Sequence, residues 1–331
     1  MTVTNAPQVD SSADFREYVF SEEWKSHKGP DFDEYRRLWH DVPASCQDLG
    51  YPLNLDIETT DICNLSCPGC PRTVMAENDQ LTMRRMSREE YARLIDQAVE
   101  MGVKATKLMY NGEPLAHKDV IWQVEYAKNR GILDVIMNSN ATLLRQDTAE
   151  GLLKAGLDGI FFSIDAASPD VYEQRRIGAR FGQVIDNIHN FIKLRNQLRP
   201  SCRTRISMVM FEGEEWRDQF NALRVMWGGL VDSIGYSVAT DYEDRSVRTP
   251  VPGWRCSQPF QRMVLKINGN VTVCCPDTWD ELKIGDWRET PLKDLWNSDA
   301  AKAIRKAHAE GAYHSVDRCA RCSYPFLEKA V

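Results

Sequence analysis

The stretch Leu53-Asn54-Leu55-Asp56-Ile57-Glu58-Thr59-Thr60-Asp61-Ile62-Cys63-Asn64-Leu65-Ser66-Cys67-Pro68-Gly69-Cys70 decides the fold. Its opening residues, Leu53 to Glu58, alternate apolar and polar, the period of a strand. Its end, CNLSCPGC, spaces three cysteines as C-x3-C-x2-C. That loop follows the strand's C-terminal end, where α/β barrels carry their chemistry. Three thiolates at this spacing suit a 4Fe–4S cluster with one iron lacking a protein ligand, whereas a fully protein-ligated cluster takes four cysteines. An open iron can bind another molecule. A zinc site or a redox dithiol uses the same side chains, but three ligands after a strand, with partners further on, favour the cluster.

The chain of 331 residues has room for a partial α/β barrel with an appendage. Its net charge of −7 and pI near 5.5 argue against a duplex nucleic acid or an anionic membrane surface as partner. No apolar run approaches the ~18–20 residues of a membrane span. The start, MTVTNAPQVDSSADF, is polar and lacks a signal-peptide core, which predicts a cytoplasmic, reducing setting. Ten cysteines there read as metal ligands, not disulfides. Cys46 and Cys202 fall outside any spaced group and are expected to be inert.

Residues 1–50 are expected to be a helical extension, most clearly over Phe32–His40, and carry no chemical motif. Residues 51–240 alternate strand and helix. After Leu53–Glu58, strand-like runs recur at Thr106–Tyr110, Asp134–Met137, Gly159–Ile164, Arg205–Met210 and Ser233–Val238. Helical patterns lie between them near 117–130, 146–155, 168–198 and 214–228, and Ser87 with Glu90 predicts a capping box closed by Gly102. Strands alternating with helices imply an α/β fold with a parallel sheet. The charged, proline-bearing run 241–255 reads as a linker.

Residues 256–331 carry a hairpin signal, Asn268-Gly269 between Arg262–Ile267 and Val271–Val273, then a helix over about Leu292–Ala309. This tail is small enough to call for a metal staple. Cys256, Cys274, Cys319 and Cys322 supply one, as zinc or as iron–sulfur, which four thiolates alone do not separate. Cys275 beside them reads as a small buried residue.

Together the loop cysteines and the turn Asn111-Gly112-Glu113-Pro114 after the second strand resemble the radical S-adenosylmethionine (SAM) superfamily. The arrangement C-x12-G-x4-C from Cys256 through Gly269 to Cys274, followed by the Cys319/Cys322 pair, resembles its auxiliary-cluster domain in the shortened, twitch form, since no cysteine follows Cys322. The resemblance implies an open (β/α)6 partial TIM-type barrel with a small iron–sulfur domain. It implies two 4Fe–4S clusters, one on Cys63, Cys67 and Cys70 and one on Cys256, Cys274, Cys319 and Cys322. It implies that Asn111, Gly112, Glu113 and Pro114 meet the SAM amino group. Asn138 and its neighbours Ser139 and Asn140, together with Ser163 and Asp165, would reach the ribose and the methionine carboxylate. Arg176, or Arg175, would pair with that carboxylate. Gly69 departs from the family, which usually has an aromatic there, so adenine packing falls to Leu115 or the strand-five end.

The resemblance also implies electron delivery by a flavodoxin- or ferredoxin-type donor and hydrogen-atom abstraction from an unactivated carbon. The twitch-type dehydrogenases of aminoglycoside antibiotic biosynthesis, of the 2-deoxy-scyllo-inosamine dehydrogenase kind, match the pattern best. The expected reaction is oxidation of a secondary alcohol of a sugar or aminocyclitol to a ketone. Epimerisation of a sugar or peptide, with Cys275 returning a hydrogen atom, and thioether formation on a peptide are the alternatives. On the substrate side, Tyr110 faces either the cavity or the barrel packing. Asp241 and Glu243 are either an acidic grip on substrate amino groups or a solvated linker.

Overall fold

The computed structural model describes residues 8–9, 15–211, 214–239 and 246–327. Its strands are β1 (Gln8–Val9), β2 (Phe15–Val19), β3 (Asn54–Ile57), β4 (Ala105–Leu108), β5 (Asp134–Ser139) and β6 (Gly159–Ser163). They continue as β7 (Arg203–Met210), β8 (Ser233–Val238), β9 (Arg262–Leu265), β10 (Asn270–Thr272) and β11 (Lys283–Asp286). All eleven form one sheet in the order β1-β2-β8-β7-β6-β5-β4-β3-β9-β10-β11. β3 to β8 run parallel in sequence order, as the alternating pattern predicts. The sheet does not close, and β1 and β11 are its edges.

The helices are α1 (Pro30–Ser45), α2 (Pro71–Glu77), α3 (Arg88–Met101), α4 (Val120–Asn129), α5 (Gln146–Ala155), α6 (Pro169–Arg175), α7 (Phe181–Leu198) and α8 (Glu214–Trp227). In the tail come α9 (Gln258–Gln261), α10 (Leu292–Trp296), α11 (Asp299–Ala309) and α12 (Asp317–Ala320). The Ser87 hydroxyl accepts from Glu90 N–H at 3.2 Å, and Glu90 accepts from Ser87 N–H at 2.8 Å, so α3 opens with both halves of its box.

Three departures from the sequence pattern have physical causes. The helical pattern over 168–198 splits into α6 and α7 because the chain turns back to meet the cysteine loop. Ser66 N–H bonds to Ile177 C=O at 3.1 Å, and Gly178, at φ +100°, has room for a Cβ only 3.3 Å from Asn64 O. The run from Leu292 to Ala309 likewise divides into α10 and α11 at Ser298, whose hydroxyl caps Ala301 N–H at 3.3 Å. The N-terminal extension is also not all helix. β2 pairs antiparallel with β8, Phe15 against Ser237 through Val19 against Ser233.

Helix α1 does cover Phe32–His40, and its buried Phe32, Tyr35 and Trp39 pack with Trp24 into a separate apolar cluster that includes Leu53 and Ala105. The tail joins the barrel covalently and by register, for β9 pairs parallel with β3, Asn54 against Arg262 through Ile57 against Leu265. No helix among the described residues is long and apolar enough to cross a membrane.

Candidate active site

Cys63, Cys67 and Cys70 lie, half-buried, in the loop between β3 and α2. Burial pushes the Cys63 and Cys67 thiols upward, and each is raised further by a neighbouring cysteine, Cys67 for the first and Cys70 for the second. A cationic iron centre reverses both penalties. Two neighbours hold the loop. Gly112 presses on it so closely that a Cβ would sit 2.0 Å from Thr60 O, and Glu113 N–H bonds to Ile62 C=O at 3.0 Å. Only glycine allows that approach.

Glu113 is buried, and burial raises its pKa against the pull of its donors. It accepts from Ser139 Oγ at 2.8 Å, Asn140 N–H at 2.8 Å and Leu115 N–H at 3.1 Å. A carboxylate has about four lone-pair sites, which leaves one for a ligand's ammonium. Asn140 Nδ2 reaches Asn64 Oδ1 at 3.2 Å and approaches Cys63 Sγ at 3.9 Å. Asp165 pairs with Arg176 at 2.6 Å and accepts from Val209 N–H at 3.0 Å. The Arg176 guanidinium also lies beside Cys67 and lowers its thiol pKa. Arg175 turns away, stacked on Phe211 at 3.6 Å and near Trp216 at 5.2 Å.

The barrel encloses a cavity of about 530 Å³ that runs from the aromatic cluster of α1 to this rim. Asn138, Ser163 and Arg176 line it. The Asn138 Oδ1 atom is buried with no hydrogen-bond partner among the described residues, an acceptor that calls for a donor from a ligand. Deeper in the lumen stand Asp56, Lys107, Arg205, Arg262 and Cys275. Asp56 accepts from Arg262 at 3.2 Å and from Asn54 at 2.8 Å. The Lys107 ammonium lies over Phe161 at 5.4 Å, and no hydrogen-bond acceptor for it is found among the described residues. Burial brings its pKa down to about 8, helped by Arg205 and Arg262 and opposed by Asp56 and Cys275.

Tyr110 bridges barrel and tail. Its hydroxyl donates to Asp277 C=O at 3.0 Å, and the Lys266 ammonium lies 4.9 Å from its ring. Its backbone φ of 145° is strained for a residue with a side chain. Glu58 makes a second bridge, accepting from Asn111 N–H at 3.1 Å and Ile267 N–H at 3.0 Å, and burial carries its pKa to about 7. Asp241 and Glu243 lie outside the described residues.

In the tail, Cys256, Cys274, Cys319 and Cys322 lie near enough for their thiols to act on one another. Burial raises the thiol of Cys256, and Cys322 and Cys319 add to it; that of Cys274 is raised by burial and then by Cys256, Cys319 and Cys322. Cys319 is pushed up to about 12. Four such thiols cannot ionise together without a positive centre among them, which suits an iron–sulfur cluster. Asp277 shapes the intervening loop by accepting from Thr272 at 2.9 Å and from Leu282 and Glu281 N–H groups at 2.8 and 3.0 Å. The adjacent cysteines therefore diverge: Cys274 joins the thiol set and Cys275 lines the lumen with Lys107.

Sequence reasoning missed Lys107, Glu58 and His308. Lys107 and Glu58 sit in ordinary strand alternation, and His308 lies in an unremarkable helical pattern. The inward, polar position of Lys107 on β4 was the one available signal.

Comparisons with known proteins agree with these two centres. A family model described as the radical SAM superfamily matches residues 57–224, and one described as an iron-sulfur cluster-binding domain matches residues 256–323. The GTP 3′,8-cyclase of Desulforamulus reducens is 31% identical over 161 residues, 48% of this chain and 47% of that protein. That of Limosilactobacillus fermentum is 33% identical over 159 residues, 47% of this chain and 43% of that protein. The chain thus spans under half the length of these curated relatives. Among solved structures, BtrN in complex with AdoMet and 2-DOIA matches with a TM-score of 0.56 at 18% identity, over 83% of this chain and 94% of that one. SuiB of Streptococcus suis matches with a TM-score of 0.60 at 15% identity, over 84% and 74%. At these identities the likeness to the solved structures is one of fold.

Proposed function

The chain belongs to the radical SAM superfamily, and on that premise we propose that it is a dehydrogenase converting a secondary alcohol of a sugar or aminocyclitol to a ketone. Its cofactors are SAM, a 4Fe–4S cluster and an auxiliary cluster. When bound, they supply a 5′-deoxyadenosyl radical and a one-electron acceptor. Cys63, Cys67 and Cys70 hold the first cluster. Asn111, Gly112, Glu113 and Pro114 receive the SAM amino group, and Glu113 offers its remaining lone-pair site. Arg176, oriented by Asp165, takes the carboxylate; Asn138 and Ser163 take ribose hydroxyls. A flavodoxin- or ferredoxin-type donor supplies the electron, and the setting is cytoplasmic.

The observation that carries the reading is the divergence of Cys274 and Cys275. It supports a four-thiolate centre, with no ligand position left open, whose sequence neighbour Cys275 lines a polar lumen. Such a centre is suited to accept an electron from a substrate there and to bind nothing itself. Lys107 does the proton work: its neutral Nζ takes the proton from the substrate hydroxyl, whose electron pair stays on oxygen. The lumen walls hold the alcohol carbon toward the rim and keep water out.

A second reading is favoured by the same geometry, because Cys275 lines the lumen. It is epimerisation, with the Cys275 thiol returning a hydrogen atom. The curated cyclases leave the substrate itself open. Anaerobic turnover of the reconstituted protein with SAM, reductant and 2-DOIA as probe separates the readings. The dehydrogenase forms one ketone per 5′-deoxyadenosine, while an isomer of unchanged mass carrying solvent deuterium on carbon would establish the epimerase instead.

A further inference from the structure

We propose that His308 sets the reduction potential of the auxiliary centre by donating its Nε2–H to the Cys319 sulfur. The proposal rests on the reading that Cys256, Cys274, Cys319 and Cys322 hold an iron–sulfur cluster. His308 lies near the end of α11 and is 1% exposed. Its ring is boxed by Trp254, edge-on at 6.1 Å, and by Tyr313, stacked at 6.1 Å and 19°. Tyr313 is itself tied down, its hydroxyl accepting from Val251 N–H at 2.9 Å. The ring therefore has one orientation.

Its protonation pattern follows from its partners. The Nδ1 atom accepts from Cys256 N–H at 3.3 Å, so Nδ1 carries no proton. A neutral imidazole then has its one N–H at Nε2, and Nε2 lies 3.5 Å from Cys319 Sγ, within reach of a sulfur hydrogen bond. One histidine thus contacts two of the four ligands, receiving from the backbone of the first and donating to the side chain of the third. A donor on a ligating thiolate withdraws electron density, favours the reduced cluster and raises its potential. That direction suits a centre whose task is to receive an electron from a substrate radical. Arg318, whose guanidinium lies near Cys274 and Cys322, acts in the same direction by charge and is unchanged in a His308 variant.

The test is a potentiometric titration of the reconstituted full-length protein followed by EPR, with pulsed EPR in D2O to detect exchangeable deuterons at the auxiliary cluster. In His308→Phe the reduction equilibrium of that cluster should shift tenfold toward the oxidised form, which is 59 mV for one electron. The deuteron coupling that belongs to His308 should be lost while that of Arg318 persists, and His308→Gln, which keeps a side-chain N–H, should shift the equilibrium less. A full iron complement with unmoved potential in His308→Phe overturns the proposal. If that variant fails to hold its cluster, wild-type protein carrying isotope-labelled histidine decides, because an auxiliary cluster without coupling to a histidine ring nitrogen overturns it equally. Wild-type protein that binds only one cluster's iron would remove the four-cysteine reading, and this proposal with it. Two clusters with an unmoved potential would remove this proposal alone.

Discussion

Lys107 carries the most chemistry for its size. It is held at about 8 against an ordinary 10.5, so it is charged in the folded and unfolded chain alike below pH 8, and neutral in both above 10.5. Between those values the unfolded chain binds the extra proton, so this residue's contribution to stability rises with pH across that window. Lys107→Met should flatten that rise in denaturation midpoints measured from pH 7.5 to 10. In turnover the sign is the same: the neutral amine accepts the hydroxyl proton, so ketone formed per 5′-deoxyadenosine should climb through about pH 8. The variant should keep cleaving SAM while ketone falls by about a hundredfold or more. Unaltered coupling across the pH range would remove Lys107 from the reaction. Cys275, its neighbour in the lumen, has no task in a dehydrogenase. Cys275→Ala removes a small group, and product should stay within a few-fold of wild type. SAM cleavage with product abolished would transfer the assignment to the epimerase.

Among the elements, the junction of β3 and β9 alters what the auxiliary centre is for. A tail judged by its size needs a metal to fold, yet β9 is a parallel neighbour of β3, and Glu58 ties Ile267 to the Asn111 turn. Replacing Cys319 and Cys322 by alanine should therefore loosen α12 and the 274–282 loop while β9 and β10 stay protected. Hydrogen exchange reads this directly: protection lost through Leu265 would mean that the metal holds the hairpin as well. This junction also marks where the sequence stops being informative. The parallel strands β3 to β8 were legible because each alternates locally between turn and helix signals. So was the hairpin at Asn268-Gly269, where Gly269 adopts φ +98°. Pairing between β3 and β9, or between β2 and β8, leaves no local trace, because a strand's sequence does not name its neighbour. The break between α6 and α7 was hidden for a related reason, since residues 176–178 leave the helix to touch a loop more than a hundred positions earlier. In the site, the cysteines and the Gly112-Glu113 turn were legible from spacing. Lys107 and His308 were not, because what distinguishes them is the enclosure and the partners that folding supplies.

At the scale of the whole molecule, one sheet carries two separate thiol sets and a lumen lined by neighbours of each, Arg176 beside Cys67 and Cys275 beside Cys274. The first set lies in the loop after β3, and the second is gathered from the segments around α9, β10 and α12. The cysteines that act on each of these thiols belong to its own set: Cys63 senses Cys67, and Cys67 senses Cys70, while Cys256 and Cys274 sense Cys319 and Cys322. The sets should therefore load independently. Replacing Cys63, Cys67 and Cys70 together by alanine removes every thiolate of the first centre and none of the second. Iron should fall to about half, because each centre holds one cluster of the same type. The cluster signal of the auxiliary centre should persist in EPR, and 5′-deoxyadenosine formation should cease. The fold should survive, since the three cysteines are half-buried loop residues and the sheet register does not depend on them. Iron analysis beside a thermal melt distinguishes the outcomes. Loss of all iron from a protein that still melts cooperatively would mean that the seven cysteines share one centre, and the lumen would then have no separate electron acceptor at its far side.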